Sequence, residues 1–399
     1  MSIGITGTGS YIPPKIIANN HFEQHEFLNA DGTPFKHNNP IIIEKFKAIT
    51  GIGERRYVAN ELNTSDIAFL AAEEAISDAS IDKEELDYII FAHNFGDVAH
   101  GQSQGDTLPS LATRVKHHLR IKNPKCVAYD MLFGCPGWIE GVIQANAFIR
   151  SGIAKKCLVI GAETLSRIVD PYDRDSMIYS DGAGATIIEA KENGGKILAH
   201  ASASYTYEEA YFLFYGKSYN ESKDDTKYIK MYGRKIYEFA ITHVPTAMKE
   251  CLDKSGIEIA QVKKILIHQA NEKMDEAIIK RFYELYDLQV PTGVMPMSIA
   301  QLGNSSVATI PTLLDMIKCG KIENQSIEKG DVVIFASVGA GMNINAIIYR
   351  VWKVSCFRFD VNLKEEFYNL KPETTETWNL FHVRKDLSEQ AFSANIILS

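Results

Sequence analysis

The order of apolar and amphipathic segments constrains the fold of this chain more than any other feature of its sequence. Short apolar runs such as SIGITGTGSYI, LDYIIFAHN and KCLVIGAE have the length and composition of strands. Longer runs such as TSDIAFLAAEEAISDAS and GWIEGVIQANAFIRSG have the apolar face of helices. Strands that alternate with helices predict an α/β fold with a mostly parallel sheet that is covered on both faces.

The same order of segments recurs in the second part of the chain. LDYIIFAH is similar to VKKILIHQ, KCLVIGAE to DVVIFASVGAG, and the segment around Cys135 to the segment around Asn304. Such a duplication predicts two packed halves, residues 1–195 and 196–350. Cys135 and Asn304 would then occupy equivalent corners of one cleft, with His268 on the strand beside them.

Two stretches fall outside this repeat. Residues 20–44 are polar and contain turn-forming pairs such as Asn39-Pro40, so a loop is expected there. Residues 351–399 contain no glycine and no clear periodicity. An appendage that packs on the surface is expected for them.

Composition narrows the class of protein. A net charge of -8 argues against nucleic acid as a partner, and no apolar run has the roughly 18 residues of a membrane span. The start, MSIGITGTGSYIPPK, lacks the basic and apolar regions of a signal peptide. The 6 cysteines have no CxxC or zinc-like spacing, so we predict no metal, no other cofactor and a reduced, cytoplasmic setting.

Cys135 lies in FGCPGW, where a strand-like run turns into a helix-like run. Such a corner projects the side chain outward and places the thiol at a helix N-terminus, which favours the thiolate. Gly134 permits a tight backbone, and Pro136 suits the first helical position. A small buried residue at a tight corner would have the same local sequence, so both interpretations stay open on this segment alone.

Two further corners favour a site. His268 follows an apolar strand in ILIHQANEKM, and Asn304 follows a glycine in QLGNSSVATIP. A histidine at a strand end, or an asparagine in a turn, is by itself typical of a structural residue. Together with Cys135 and the repeat, they favour a Cys/His/Asn site.

Several ordered stretches make the chain resemble the β-ketoacyl-acyl-carrier-protein synthase III family, condensing enzymes of the thiolase superfamily. They are TGIGERR (50–56), DMLFGCPGWIEGV (130–142), DPYDRDSMIYSDGAGATI (170–187), HQAN (268–271), GNSSVATIP (303–311) and VGAGMNINA (338–346). The resemblance implies a thiolase-like, duplicated five-layered α/β/α/β/α fold and a homodimer.

The resemblance also implies a reaction. Cys135 would take an acyl group as a thioester. His268 and Asn304 would hydrogen-bond the thioester carbonyl of malonyl on acyl carrier protein, and loss of CO2 would give an enolate for a Claisen condensation. The backbone N–H groups of Cys135 and Ala340 would form a second oxyanion site.

The chain departs from the family at several positions. The tryptophan and arginine with which the family holds coenzyme A are replaced by Lys45 and Ile49, so coenzyme A as the donor among acyl thioester substrates is in doubt. Phe133 and Trp138 flank the cysteine and are expected to shape the acyl pocket. Leu108 falls near the residue that caps this pocket across the dimer.

Acyl carrier protein is acidic, so docking needs a basic patch on this acidic chain. Arg234-Lys235 and the segment RVKHHLRIKNPK (114–125) are the candidates. Ordinary solvated surface is the other interpretation of both.

Two other functions fit the same residues. A ketosynthase-cyclase of specialised metabolism, of the dialkylresorcinol type, would join two acyl or β-ketoacyl thioesters with the same trio. A non-catalytic partner subunit would use the fold as an interaction surface. Malonyl-dependent CO2 release distinguishes the first alternative from the leading hypothesis, and an acyl adduct on Cys135 argues against the second.

Overall fold

The computed structural model describes residues 1–192, 194–221 and 225–352. The expected appendage, residues 351–399, therefore lies outside the described residues from position 353 onward.

Thirteen strands and eight α-helices follow one another along the described chain. The strands are β1 (Ser2–Tyr11), β2 (Lys15–Ala18), β3 (Glu54–Tyr57), β4 (Tyr88–Ala92), β5 (Val127–Met131), β6 (Lys156–Thr164), β7 (Asp181–Lys191), β8 (Lys196–Ser204), β9 (Leu213–Lys217), β10 (Lys227–Met231), β11 (Val262–Ile267), β12 (Val332–Gly339) and β13 (Asn343–Arg350). The helices are α1 (Asn39–Thr50), α2 (Thr64–Ala79), α3 (Leu111–His118), α4 (Gly137–Arg150), α5 (Gly233–Ser255), α6 (Glu272–Glu284), α7 (Ile299–Leu302) and α8 (Thr309–Lys318).

The strands form two main sheets, in the orders β1-β7-β6-β4-β5 and β11-β12-β13-β8, and two ribbons, β2-β3 and β9-β10. In the first sheet β4 is parallel to β5 and β6, whereas β7 is antiparallel to β6 and β1. The prediction of mostly parallel sheets is wrong. Helical crossovers join β4 to β5, β5 to β6 and β11 to β12, whereas only a short turn joins β12 to β13, which forces antiparallel pairing.

The two sheets repeat one pattern of pairing. In the first, β4-β6 is parallel and β6-β7 and β7-β1 are antiparallel. In the second, β11-β12 is parallel and β12-β13 and β13-β8 are antiparallel. The order and the directions agree, which confirms the duplication inferred from the sequence. Strand β5 is added at the edge of the first sheet.

Helices cover both faces of each sheet, which confirms the α/β class. Helices α2 and α3 pack on the outer face of the first sheet, α5 and α6 on the outer face of the second, and α4 and α8 lie between the sheets. This arrangement gives five layers. A cluster that includes Trp138, Leu313 and Phe335 fills the space between the sheets, and each fully buried side chain of this kind contributes about 1.5–3 kcal/mol.

Helix α8 is buried along its whole length because it lies between the sheets. Its two charged residues are paired with side chains of the first half. Lys318 Nζ lies 3.0 Å from Asp78 Oδ2, and Asp315 accepts hydrogen bonds from the hydroxyls of Thr8 and Ser10. These pairs satisfy groups whose burial without a partner would be unfavourable.

The expected loop at residues 20–44 ends earlier than predicted, because α1 begins at Asn39. The side chain of Asn38 accepts a hydrogen bond from the N–H of Ile41 at 3.3 Å and caps the helix. Pro40 lies in the first turn, where its missing N–H costs no hydrogen bond. The Asn-Pro pair is thus a helix start. Across the described chain, no helix is both long and apolar enough to span a bilayer.

A buried ion pair fixes the β9-β10 ribbon to the segment DPYDR. Lys230 is 2% exposed, and its Nζ lies 2.7 Å from Asp170 Oδ2 and 3.0 Å from Asp173 Oδ2. The same ammonium lies 3.2 Å from the ring centre of Tyr219. Two carboxylates therefore share one buried cation.

We expect Lys230→Met to destabilise the protein by about 3–5 kcal/mol, because it leaves two buried carboxylates without their cation. Urea denaturation measures the change in the free energy of unfolding. Lys217→Met is the matched control in the same ribbon. Its pair with Asp225 is exposed, so a change below about 1 kcal/mol is expected. Equal effects of the two substitutions would contradict this assignment.

Candidate active site

The turn that carries Cys135 lies directly against a second turn, at Ala340. A Cβ atom on Gly134, whose φ is 66°, would lie 2.7 Å from the Ala340 nitrogen. A Cβ atom on Gly339 would lie 2.5 Å from the Cys135 nitrogen. Glycine is required at both positions because main chain meets main chain there. Pro136 is the N-cap of α4 and not its first helical residue.

The thiol of Cys135 is enclosed by protein, although the residue keeps some accessible surface. Burial raises the pKa of Cys135 to about 11; the hydrogen bond from Ser306 opposes this shift, and Glu163 reinforces it. The expectation that the helix N-terminus favours the thiolate is therefore outweighed by desolvation. At neutral pH the free protein holds Cys135 as a thiol.

His268 and Asn304 each follow a structural element of the second half. His268 is 3% exposed after β11, and its main-chain N–H donates to Ala336 of β12 at 2.9 Å. Asn304 follows α7, and its main chain pairs with Ile178 and Ser180 at 3.0 and 2.9 Å. These main-chain hydrogen bonds fix the backbone position of both residues.

Ser306 brings the three predicted residues together. Its hydroxyl donates to Cys135 Sγ at 3.3 Å, and its N–H donates to Asn304 Oδ1 at 2.8 Å. A hydrogen bond between its main chain and the imidazole raises the pKa of His268, against the larger effect of burial. Because the amide oxygen of Asn304 is engaged, its amide nitrogen is the group that can donate to a substrate. Sequence reasoning missed Ser306, and its only signal was its place two residues after Asn304.

Burial lowers the pKa of His268 to about 4, and the main chain of Ser306 acts in the opposite direction. The imidazole is therefore neutral near pH 7. A neutral ring can donate one hydrogen bond without acting as a second positive charge.

Glu163 and Asn94 lie behind the cysteine, and sequence reasoning missed both. Asn94 Nδ2 donates to Glu163 Oε1 at 2.6 Å, and Asn94 Oδ1 accepts from the N–H of Gly134 at 3.0 Å. Glu163 is 1% exposed, and burial raises its pKa to about 7. A carboxylate near the end of the apolar run KCLVIGAE was the available signal.

The three predicted pocket residues lie in different surroundings. Trp138 is 1% exposed in the core between the sheets, where its ring meets Phe335 edge-on at 5.6 Å. Its side chain belongs to the core cluster between the sheets, and its indole N–H donates to Thr186 Oγ1 of β7, in the first sheet, at 3.3 Å. Phe133 is half-buried beside the nucleophile turn. Leu108 is 88% exposed.

The cations of the two predicted docking patches make different contacts. Arg114 in the segment 114–125 pairs with Asp97 and Asp106, each at 2.8 Å. Arg234 and Lys235, at the start of α5, are exposed; Arg234 pairs with Glu238 on the surface. Lys235 lies over the rings of Phe212 and Tyr232. Arg120, Lys122 and Lys125 of the segment 114–125 are also exposed, so both patches keep cations at the surface.

At the expected coenzyme A grip, Lys45 Nζ lies 3.1 Å from His37 Nε2, and Ile49 is 52% exposed. Neither observation restores the missing aromatic and guanidinium groups. Within the described residues, no group of three or more His, Cys, Asp or Glu side chains is placed to hold a metal ion.

A cavity of about 750 Å³ lies elsewhere, with His21, His25, Arg167 and Tyr215 among its lining residues. None of Cys135, His268 and Asn304 lines it. The contacts around Ser306, and not the size of a cavity, therefore locate the candidate site.

Two family models match separate segments of the chain. The model of 3-oxoacyl-[acyl-carrier-protein] synthase III matches residues 129–206, and the model of its C-terminal region matches residues 252–351. The first range contains Cys135. The second contains His268, Asn304 and Ala340.

Curated relatives and a solved structure cover most of the chain. A β-ketoacyl-[acyl-carrier-protein] synthase III of Vibrio vulnificus is 31% identical over 347 residues, 87% of this chain and 98% of that protein. A relative from Vibrio parahaemolyticus is 32% identical over the same shares. The crystal structure of 3-oxoacyl-[acyl-carrier-protein] synthase III from Aquifex aeolicus superimposes with a TM-score of 0.71 at 30% identity, over 87% of this chain and 99% of that chain. These matches confirm the predicted thiolase-like fold class.

We expect the stability contribution of His268 to depend on pH. Its pKa of about 4 in the folded protein is below the ordinary value of 6.5, so between these values the unfolded chain binds more protons. Stability should therefore fall as pH decreases from 6.5 to 4, by up to about 1.4 kcal/mol per pH unit. The free energy of unfolding of wild type minus that of His268→Gln measures this fall. A difference independent of pH would contradict a buried neutral imidazole.

Proposed function

This chain belongs to the β-ketoacyl-acyl-carrier-protein synthase III family and is a condensing acyltransferase, and from this premise we propose how its residues divide the reaction. Cys135 carries the acyl group, and His268 and Asn304 activate malonyl on acyl carrier protein, for fatty acid or related lipid synthesis. The observation that carries the proposal is the convergence of all three residues on Ser306.

In the first half-reaction, the sulfur of Cys135 attacks the carbonyl of an acyl thioester. A carbon–sulfur bond forms to Cys135, the bond to the donor sulfur breaks, and the donor leaves as a thiol with the proton from Cys135. Negative charge develops on the carbonyl oxygen. The main-chain N–H groups of Cys135 and Ala340 bind it, which the close contact of their two turns supports.

In the second half-reaction, His268 and the amide of Asn304 bind the thioester carbonyl of malonyl-acyl carrier protein. They stabilise the enolate that forms as CO2 leaves, since both are neutral donors held in place before the substrate arrives. The enolate carbon then attacks the acyl-cysteine and releases the sulfur of Cys135. The product is a β-ketoacyl thioester on the carrier.

The acyl pocket is proposed to be completed by a second copy of this chain, in a homodimer. Leu108 is 88% exposed and lies three residues before α3. Asp130 fixes the start of that helix by accepting hydrogen bonds from the N–H groups of Leu111 and Ala112 at 2.8 and 2.7 Å. An apolar side chain presented on a fixed loop suits insertion into a partner. We place the enzyme in the cytoplasm, where a Cys135 thiol stays reduced.

Mass spectrometry of the intact protein tests the nucleophile. Incubation with acyl-coenzyme A and acyl-carrier thioesters of varied length should add one acyl group to wild type and none to Cys135→Ser, because the hydroxyl is not ionised to a comparable extent. The panel also identifies the donor and the chain length. Absence of an adduct with every donor would favour the non-catalytic subunit.

CO2 release from malonyl-acyl carrier protein tests the other two residues in the same experiment. His268→Ala and Asn304→Ala should each lower it roughly 100- to 1000-fold while the acyl adduct still forms. Adduct formation without CO2 release in wild type would instead favour the joining of two acyl or β-ketoacyl thioesters.

Docking of the carrier is proposed at Arg234 and Lys235. Reversal of both charges, with Arg234→Glu and Lys235→Glu, should raise KM for malonyl-acyl carrier protein about tenfold and leave kcat within about twofold, because exposed charges act mainly on encounter. The control, Lys254→Glu with Lys263→Glu, makes the same change in charge at other exposed positions. An equal rise in KM for the control would show a general effect of charge and contradict docking at this patch.

A further inference from the structure

We propose that Ser306 is a further catalytic residue, whose hydroxyl donates a hydrogen bond to the sulfur of Cys135 and stabilises it as the thiolate during acyl transfer. The inference rests on the proposed role of Cys135 as the nucleophile. It adds a group that touches the reacting atom and that the Cys/His/Asn trio does not include.

The backbone holds the Ser306 hydroxyl in place. Ser306 is 6% exposed, its φ is 52°, and its N–H is bound by Asn304 Oδ1 at 2.8 Å. A serine in the left-handed region is uncommon and persists where the surroundings enforce it. In this conformation the hydroxyl oxygen lies 3.3 Å from Cys135 Sγ.

Asn94 sets the direction in which that hydroxyl donates. Its Oδ1 accepts from the N–H of Gly134 at 3.0 Å, so its Nδ2 is the side that faces Glu163 at 2.6 Å and Ser306 Oγ at 3.5 Å. Because an amide N–H points at the serine oxygen, that oxygen accepts there and its own proton is directed to the sulfur. Asn94 and Glu163 are thus positioning residues for Ser306.

The sulfur requires such a donor because its site disfavours charge. Burial and the nearby Glu163 both raise the pKa of Cys135, whereas the Ser306 hydroxyl acts against them. A hydrogen bond to a charged acceptor is stronger than one to a neutral acceptor. The stabilisation therefore increases as the thiol loses its proton, which is the change that attack on an acyl thioester requires.

The atoms balance without a further reactant. Ser306 keeps its proton throughout, and the proton from Cys135 leaves with the departing donor thiol. The bond from the acyl carbon to the donor sulfur breaks as the bond to Cys135 forms.

The pH dependence of Cys135 alkylation by iodoacetamide, followed by peptide mass spectrometry, tests the inference without any acyl substrate. Ser306→Ala should slow alkylation of Cys135 about 10- to 100-fold at pH 7.5 and shift the profile to higher pH, since the lost hydrogen bond was to the charged form. Ser305→Ala is the matched control: its hydroxyl lies 3.5 Å from Thr309 Oγ1, and a change within about twofold is expected.

Ser306→Gly separates chemistry from backbone strain. Glycine adopts positive φ without penalty, so this variant lacks the hydroxyl but relieves the backbone. It should be as slow as Ser306→Ala. A wild-type profile in either variant would overturn the role of Ser306 while leaving Cys135 as the nucleophile. Failure of wild-type Cys135 to react at any pH would overturn the proposed function itself.

Discussion

The contact between the turn at Cys135 and the turn at Ala340 is the constraint on which the site depends. Each turn ends a strand of a different sheet, and the two meet so closely that Gly134 and Gly339 leave no room for a side chain. Asn345 on β13 adds a hydrogen bond from Nδ2 to the main-chain oxygen of Pro136 at 3.0 Å. The turns at Cys135 and Ala340 are thereby held against each other.

Burial favours the uncharged form of three titratable side chains in the site. It raises the pKa of Cys135 to about 11 and of Glu163 to about 7, and it lowers the pKa of His268 to about 4. Each shift favours an uncharged form. The resting site therefore presents fixed dipoles, which interact most strongly when a substrate brings negative charge into the cleft.

The sequence predicted the order of elements and the trio because both follow from patterns along the chain. Strand-turn-helix corners recur at Cys135 and Asn304, and a duplication places equivalent corners together. The antiparallel direction of β7 and β13 could not be predicted from the sequence, since parallel and antiparallel strands have the same hydrophobic periodicity. Trp138 was predicted at the acyl pocket because an aromatic residue beside a nucleophile can face a pocket or a core; in the structure it is buried between the sheets. Ser306 was missed because its importance lies in a backbone conformation that no local pattern reports.

The duplicated architecture has a consequence for how the steps of the proposed reaction are divided. Helices α4 and α8 lie in the same central layer, and the turns that precede them carry Cys135 and Asn304. The repeat thus provides two pseudo-symmetric positions, one for each of these residues. Under the proposed function, the copy with the thiol would carry the acyl group and the copy with the carboxamide would bind the enolate, so equivalent positions of one repeated scaffold would serve two different steps.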